Sequence, residues 1–256
     1  MMFRVDKVRT PPGVSLVLDG TGSRRPARLA SIVLEELAQR IIGGAFPEGS
    51  VLPTEPVLCE QFGFSRTVIR EGLKQLEERG LVRVEQGRGT TVQRRDSWNL
   101  LDPAVIRIAL VYDHDMSLLD DLITVRRVLE QEMARAAATR LTEGELAALA
   151  ENVERMKATY DDYERFRALD NTFHAIVMRA SGNEVGLTIV RTIHAHGGVT
   201  PPLASAASRA ALKRTVDAHR AIYDALAARD GEAAGELISK HIYSAWAERK
   251  KSKRFA

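Results

Sequence analysis

The chain has 256 residues, 45% of them hydrophobic, and a formal charge of +3, which suffices for two domains with cores of their own. No apolar run approaches the roughly 18 residues that cross a bilayer. The N-terminal MMFRVDKVRTPPGVSLVLDG carries no cleavage signal, and the single cysteine, Cys59, excludes an internal disulfide and a cysteine-based zinc site. A cytoplasmic protein is expected.

The charge is unevenly laid out. Residues 1–98 hold 15 Lys/Arg against 12 Asp/Glu, residues 99–248 hold 17 against 22, and RKKSKR at the end is almost wholly basic. A basic head on an acidic body suggests that the head alone meets a polyanion. Residues 251–256 read as a basic tail, the frayed, solvated end of the last helix.

Residues 1–25, with TPPG and DGTGSRRP, offer nothing to bury and are expected to be disordered. ARLASIVLEELAQRIIGG then turns Leu29, Val33, Leu37 and Ile41 to one face of a helix. EPVLCEQFG is a shorter helix with Leu58 and Phe62 on one side, and Gly63 supplies a turn. RTVIREGLKQLEERG follows, with Ile69, Leu73 and Leu76 inward, Ser65 as N-cap and Gly80 as the stop. LVRVEQGRGTTV alternates apolar and polar residues around Gly87-Arg88-Gly89 and predicts a β-hairpin.

Helix, short helix, turn, longer helix and hairpin make a winged helix-turn-helix. Its second helix presents Ser65, Arg66, Thr67 and Arg70 from the turns where base edges are reached, and Gly87 and Arg88 form the wing tip. Arginine forks suit guanine, whereas hydroxyls and helix-start amides suit phosphate. Double-stranded DNA is the expected partner.

These residues, in LPTE, SRTVIREGLKQLEERGLV and GRGTTV, resemble the DNA-binding domain of the GntR family of bacterial transcription regulators over about residues 26–95. The resemblance implies that Arg66, Thr67 and Arg70, with Ser65 and the wing residue Gly87, face an operator. Where the family often has a basic residue after PxE, this chain has Pro56, so one expected contact is missing.

Residues 96–102 form a connector, and Asp102-Pro103 opens a helix. Helices are expected over about 103–112, 117–140, 143–160, 163–181, 184–196, 204–228 and 232–250, so residues 103–250 form an all-α bundle and the fold is mainly α. Asp170 and His174 share one face with Phe166, Phe173 and Val177. His219 sits in the stripe Leu212, Val216, Tyr223, Leu226, and His241 sits among Leu237, Ile238 and Ala245. Each histidine alone suits a hydrogen-bonded core position, but together with the carboxylate they match a divalent metal's ligand set. Arg126 lies in the apolar row Leu119, Ile123, Glu130, Met133, Ala137. It is either half of an intrahelical pair with Glu130 or a clamp for a carboxylate, with Glu130 orienting it.

The order D-x-x-x-H, H, H and the segment VRRVLE are similar to the FCD domain of FadR-type members of that family, over about residues 100–248. This similarity implies a divalent ion, zinc or else nickel or manganese, on Asp170, His174, His219 and His241. It also implies an acid effector at Arg126 and Glu130, and a dimerising domain. His194 and His196 read as residues behind the ligands or at the surface. The connector SWNLLDPAVI resembles that of galactonate and related sugar-acid regulators.

The expectation is therefore a homodimeric, acid-responsive repressor on a near-palindromic operator. A sensor of the ion itself is the alternative. An enzyme is disfavoured, because no general acid or base stands beside the ligands in sequence.

Overall fold

The computed structural model describes residues 26–197 and 208–253. The expected N-terminal head consists of α1 (Pro26–Ile42), α2 (Glu55–Phe62), α3 (Arg66–Glu78) and an antiparallel hairpin, β1 (Val82–Glu85) and β2 (Gly89–Val92). Val82 stands opposite Val92 and Glu85 opposite Gly89. Val33, Leu37 and Ile41 of α1 meet Leu58, Ile69, Leu73 and Leu76 in one core, closed from the wing side by Leu81, Val82 and Val92. Ser65 caps α3 by accepting from the Val68 amide, and the Glu77 carboxylate accepts from the Val84 amide at 2.8 Å, tying α3 to the wing. Upstream, Leu52 donates its amide to the Thr90 carbonyl, so the residues before α2 flank the hairpin.

Beyond the wing, α4 (Pro103–Val111) begins as Asp102 and Pro103 dictate. Asp102 Oδ1 accepts from the amides of Ala104 and Val105, at 2.9 and 3.2 Å. Its other oxygen lies 3.1 Å from Arg79 Nε at the end of α3. The helix works on two faces. Val105 and Ile108 complete the head's core, while Ile106, Ala109 and Leu110 pack with Leu118, Leu119, Leu122, Ile193 and Trp246.

The bundle comprises α5 (Ser117–Ala138), α6 (Glu143–Lys157), α7 (Tyr163–Ala180), α8 (Glu184–Gly197), α9 (Arg209–Ala227) and α10 (Gly231–Lys253). A capping box at Thr142 and Glu145 starts α6. Helix α10 lies tightly along α5, because a Cβ on Gly235 would stand only 2.9 Å from the Gln131 carbonyl oxygen.

Several expected boundaries move, α6 ending at Lys157 rather than about 160 among them. The helix placed at 204–228 starts at Arg209, where the Ser208 hydroxyl caps it, and 204–207 lie outside the described residues. The last helix runs to Lys253, past its expected end at about 250. Trp246 Nε1 donates to Asp120 at 2.7 Å and Lys250 pairs with the same carboxylate, so α5 anchors it. The segment 1–25, expected to be disordered, and residues 254–256 of the expected tail lie outside the described residues.

Gly80 joins α3 to β1 at φ +73, and a Cβ there would meet the connector's Ser97 carbonyl oxygen at 2.0 Å. Gly80→Ala is expected to cost about 1–3 kcal/mol. A fall in the thermal midpoint checks this, and an unchanged midpoint contradicts it.

Candidate functional site

The head presents its exposed surface where the sequence places it. Ser65, Arg66, Thr67 and Arg70 stand exposed at the start of α3, and Gly87 and Arg88 are exposed at the hairpin tip. Arg70 is not loose. Its Nε donates to both oxygens of Glu55, at 2.8 and 3.0 Å, from the first turn of α2. That carboxylate fixes the direction of the guanidinium, a role the residue types alone did not reveal. Pro56 and Val57 are exposed beside it, where a further cation was missed in the sequence.

Inside the bundle, α7, α9 and α10 bring Asp170, His174, His219 and His241 together. One donor atom from each lies within 4.8 Å of the other three. Phe173 stacks on the His219 ring at 4.2 Å between centroids, fixing its plane. His219 Nδ1 faces the Met156 sulfur at 3.3 Å, a weak acceptor for its proton. Its Nε2 is then a lone pair, wholly buried and without a hydrogen-bond partner, 3.4 Å from Asp170 Oδ1. With that tautomer, a cation between them satisfies both acceptors in the buried space.

The electrostatics agree. Burial keeps His219 well below its ordinary value, and burial with the neighbouring His174 takes His241 down to about 3, so both rings are neutral ligands near pH 7. Burial resists ionisation of Asp170, yet the surrounding imidazoles and Arg126 hold its carboxyl below the usual range. These four residues fit a divalent ion such as zinc.

Behind them lies Glu130 of α5, which is fully buried. Its carboxylate accepts from Arg126 Nε and from His174 Nδ1, the latter at 2.5 Å, and meets His194 Nε2 at 3.0 Å. Burial penalises its charge, but Arg126 and His174 keep the carboxyl well below the usual range. Glu130 has both oxygens engaged by its neighbours and stands behind Arg126. The intrahelical Arg126–Glu130 pair is formed, while Arg126 retains 17% exposure and reaches toward the ligand set.

His194 belongs to this arrangement. Burial lowers it to about 4, so the neutral ring has one N–H, which the Glu130 carboxylate takes. Asn171 Oδ1 lies 3.0 Å from Nδ1, so with the proton on Nε2 the amide must be turned end for end to bring its NH2 there. Glu130, His174 and His194 also converge as a possible ion-binding set. There the Arg126 guanidinium already supplies the cation, so the Asp170 set is the better place for an ion. The side chain of His196, also singled out in the sequence, lies outside the described residues.

Residues 29–92 match the family described as bacterial regulatory proteins, gntR family, and residues 121–244 match the FCD domain. The galactonate operon transcriptional repressor of Escherichia coli K12 is 32% identical over 208 residues, covering 81% of this chain and 91% of that protein. The chain belongs to the GntR family.

This GntR-family chain is also 34% identical to the Glc operon transcriptional activator of Escherichia coli K12 over 63% of each. Among solved structures, that of Lar, which controls the expression of the Listeria monocytogenes agr system, shares the fold with a TM-score of 0.58 at 18% identity. It covers 87% of this chain and 97% of that one. The chain is a transcription regulator of GntR type with an FCD domain, and its relatives are regulators, not enzymes. No helix among the described residues is long and apolar enough to cross a membrane.

The lowered histidines set a pH dependence. In the unfolded chain His194 and His241 take up protons near their ordinary 6.5, but in the folded protein only near 4 and 3. The unfolded state therefore binds more protons below 6.5, and stability falls as the pH drops from 7 toward 4. Urea midpoints of chelator-treated protein across that range check this. His194→Asn should flatten the slope, and an identical slope in the variant would exclude His194 as a source.

Proposed function

We propose that this GntR-family regulator is a homodimeric repressor whose grip on its operator is set by a small hydroxy or sugar acid chelated to a divalent ion. Asp170, His174, His219 and His241 hold the ion, zinc or else nickel or manganese. Arg126 takes the acid's carboxylate through two parallel hydrogen bonds, and Glu130 orients it from behind. The observation that carries this reading is the orphaned lone pair of His219 Nε2 facing Asp170, with a guanidinium at the edge of the same ligand set. An acid that offers a carboxylate and a neighbouring hydroxyl satisfies the guanidinium and an open position on the ion together. The likeness to the galactonate operon repressor supports a sugar acid and negative control.

Ser65, Arg66, Thr67, Arg70, Gly87 and Arg88 face the operator in this reading. For a two-fold dimer the heads lie one turn of DNA apart on a near-palindrome. A second copy of the chain has an apolar face to meet. Helices α5 and α8 pack on each other and leave Val125, Val128 and Val185 exposed. Nearby Thr124, Thr188 and Thr192 spend their hydroxyls on their own helices' carbonyls. The acid acts by favouring a dimer arrangement whose head spacing no longer matches the operator, which requires different affinity for the two arrangements.

The deciding experiment is a thermal-shift screen against sugar acids and dicarboxylates before and after chelation, with elemental analysis for metal. Stabilisation by one acid that vanishes with the metal and in Arg126→Ala is expected. A metal-loaded protein indifferent to every acid would leave the ion as the effector, and a metal-free one would leave a polar core cluster. On the DNA side, Arg66→Ala should cost about 1–3 kcal/mol in specific binding. Loss that is equal on operator and unrelated DNA in a filter-binding titration would mean that Arg66 reads no base.

A further inference from the structure

One polar contact brings the two halves of the buried cluster into conflict. His174 gives its Nδ1 proton to Glu130, so its Nε2 carries the lone pair that an ion on Asp170, His219 and His241 would take. Arg126 Nη2 lies 3.3 Å from that atom. The guanidinium is anchored by its Nε on the wholly buried Glu130, one helical turn along α5, so Nη2 is delivered to His174 by a fixed fork. One lone pair cannot be shared between a guanidinium N–H and a metal ion. Two cations side by side in a buried space also repel.

We infer that Arg126 competes with the ion for His174 Nε2, and that a carboxylate bound to Arg126 relieves the competition by drawing the guanidinium away. Acid and ion then bind with positive linkage, each strengthening the other by the same factor. The inference rests on the proposed use of the site, and it specifies how the two ligands depend on each other. It also reverses the usual direction for a pocket residue, because weakening Arg126 tightens metal binding. Glu130 acts in the opposite sense, since it fixes the His174 tautomer that exposes Nε2, and its loss weakens the metal.

The test is zinc affinity of the full-length protein, measured by competition with a chromophoric chelator, for wild type, R126K, R126M and E130Q. Lysine keeps a cation for Glu130 but loses the fork, so R126K guards against a folding defect in R126M, and circular dichroism verifies each fold. Both Arg126 variants are expected to bind zinc about 2- to 10-fold more tightly, and E130Q about 10- to 100-fold more weakly. Acetate, added at rising concentration, should tighten zinc binding to wild type and leave R126M unchanged. Zinc bound by wild type with equal or lower affinity in both Arg126 variants overturns the competition. An equal acetate effect in wild type and R126M overturns the linkage. If wild type binds no zinc, the metal reading itself falls.

Discussion

A carboxylate removed from water must find hydrogen-bond donors or give up its charge, and the bundle's interior is arranged around that requirement at Glu130. Arg126 comes from the same helix one turn away, His174 from α7 and His194 from α8, so one buried group ties three helices. It also decides protonation. Because Glu130 takes the Nδ1 proton of His174, the opposite nitrogen faces Asp170, His219 and His241 as a lone pair. Glu130 also meets His194 Nε2, while the other nitrogen of that ring faces Asn171 Oδ1. The chemistry available to the outer ligands is thus set one layer behind them.

Helix α5 carries that carboxylate and also connects the bundle to the head. Near its start, Asp120 holds Trp246 and Lys250 of α10. Its apolar residues Leu118, Leu119 and Leu122 pack on Ile106, Ala109 and Leu110 of α4. The other face of α4 belongs to the head's core, and Asp102 at its first turn pairs with Arg79 where α3 ends. Contacts therefore run from α5 through α4 to the end of α3. Packing of this kind supplies continuity. The size and direction of any movement come from the difference in ligand affinity between two arrangements.

What could be read from the sequence follows from how local each signal is. The Ser65 cap, the Gly80 stop, the hairpin around Gly87 and the Asp102-Pro103 start depend on neighbours a few residues away, and each element forms there. The inward faces of Asp170, His174, His219 and His241 were legible because helical spacing alone orients them among apolar residues. The partnership of Arg70 with Glu55 bridges fifteen residues and two helices, and no periodicity announces it. For His194 the sequence left open a place behind the ligands or at the surface, because its partners depend on α8 packing beside α5 and α7, a tertiary fact. The contact of Lys250 with Asp120 is of the same kind, made across two helices far apart in the chain.

The same proton inventory explains why a cluster rich in imidazole and carboxylate suits sensing rather than turnover. Hydrolysis at a metal needs a group free to accept and return a proton beside the ion. Asp170 belongs to the ligand set. Glu130 accepts N–H groups from Arg126 and His174, meets the His194 ring, and is held well below the usual carboxyl range, so it lacks the basicity to act. Burial likewise depresses His194 and His241, which makes them good donors to a metal and poor carriers of a proton near neutrality. A site whose titratable groups are fixed in one protonation state suits binding in a defined geometry. It lacks the movable proton that turnover needs.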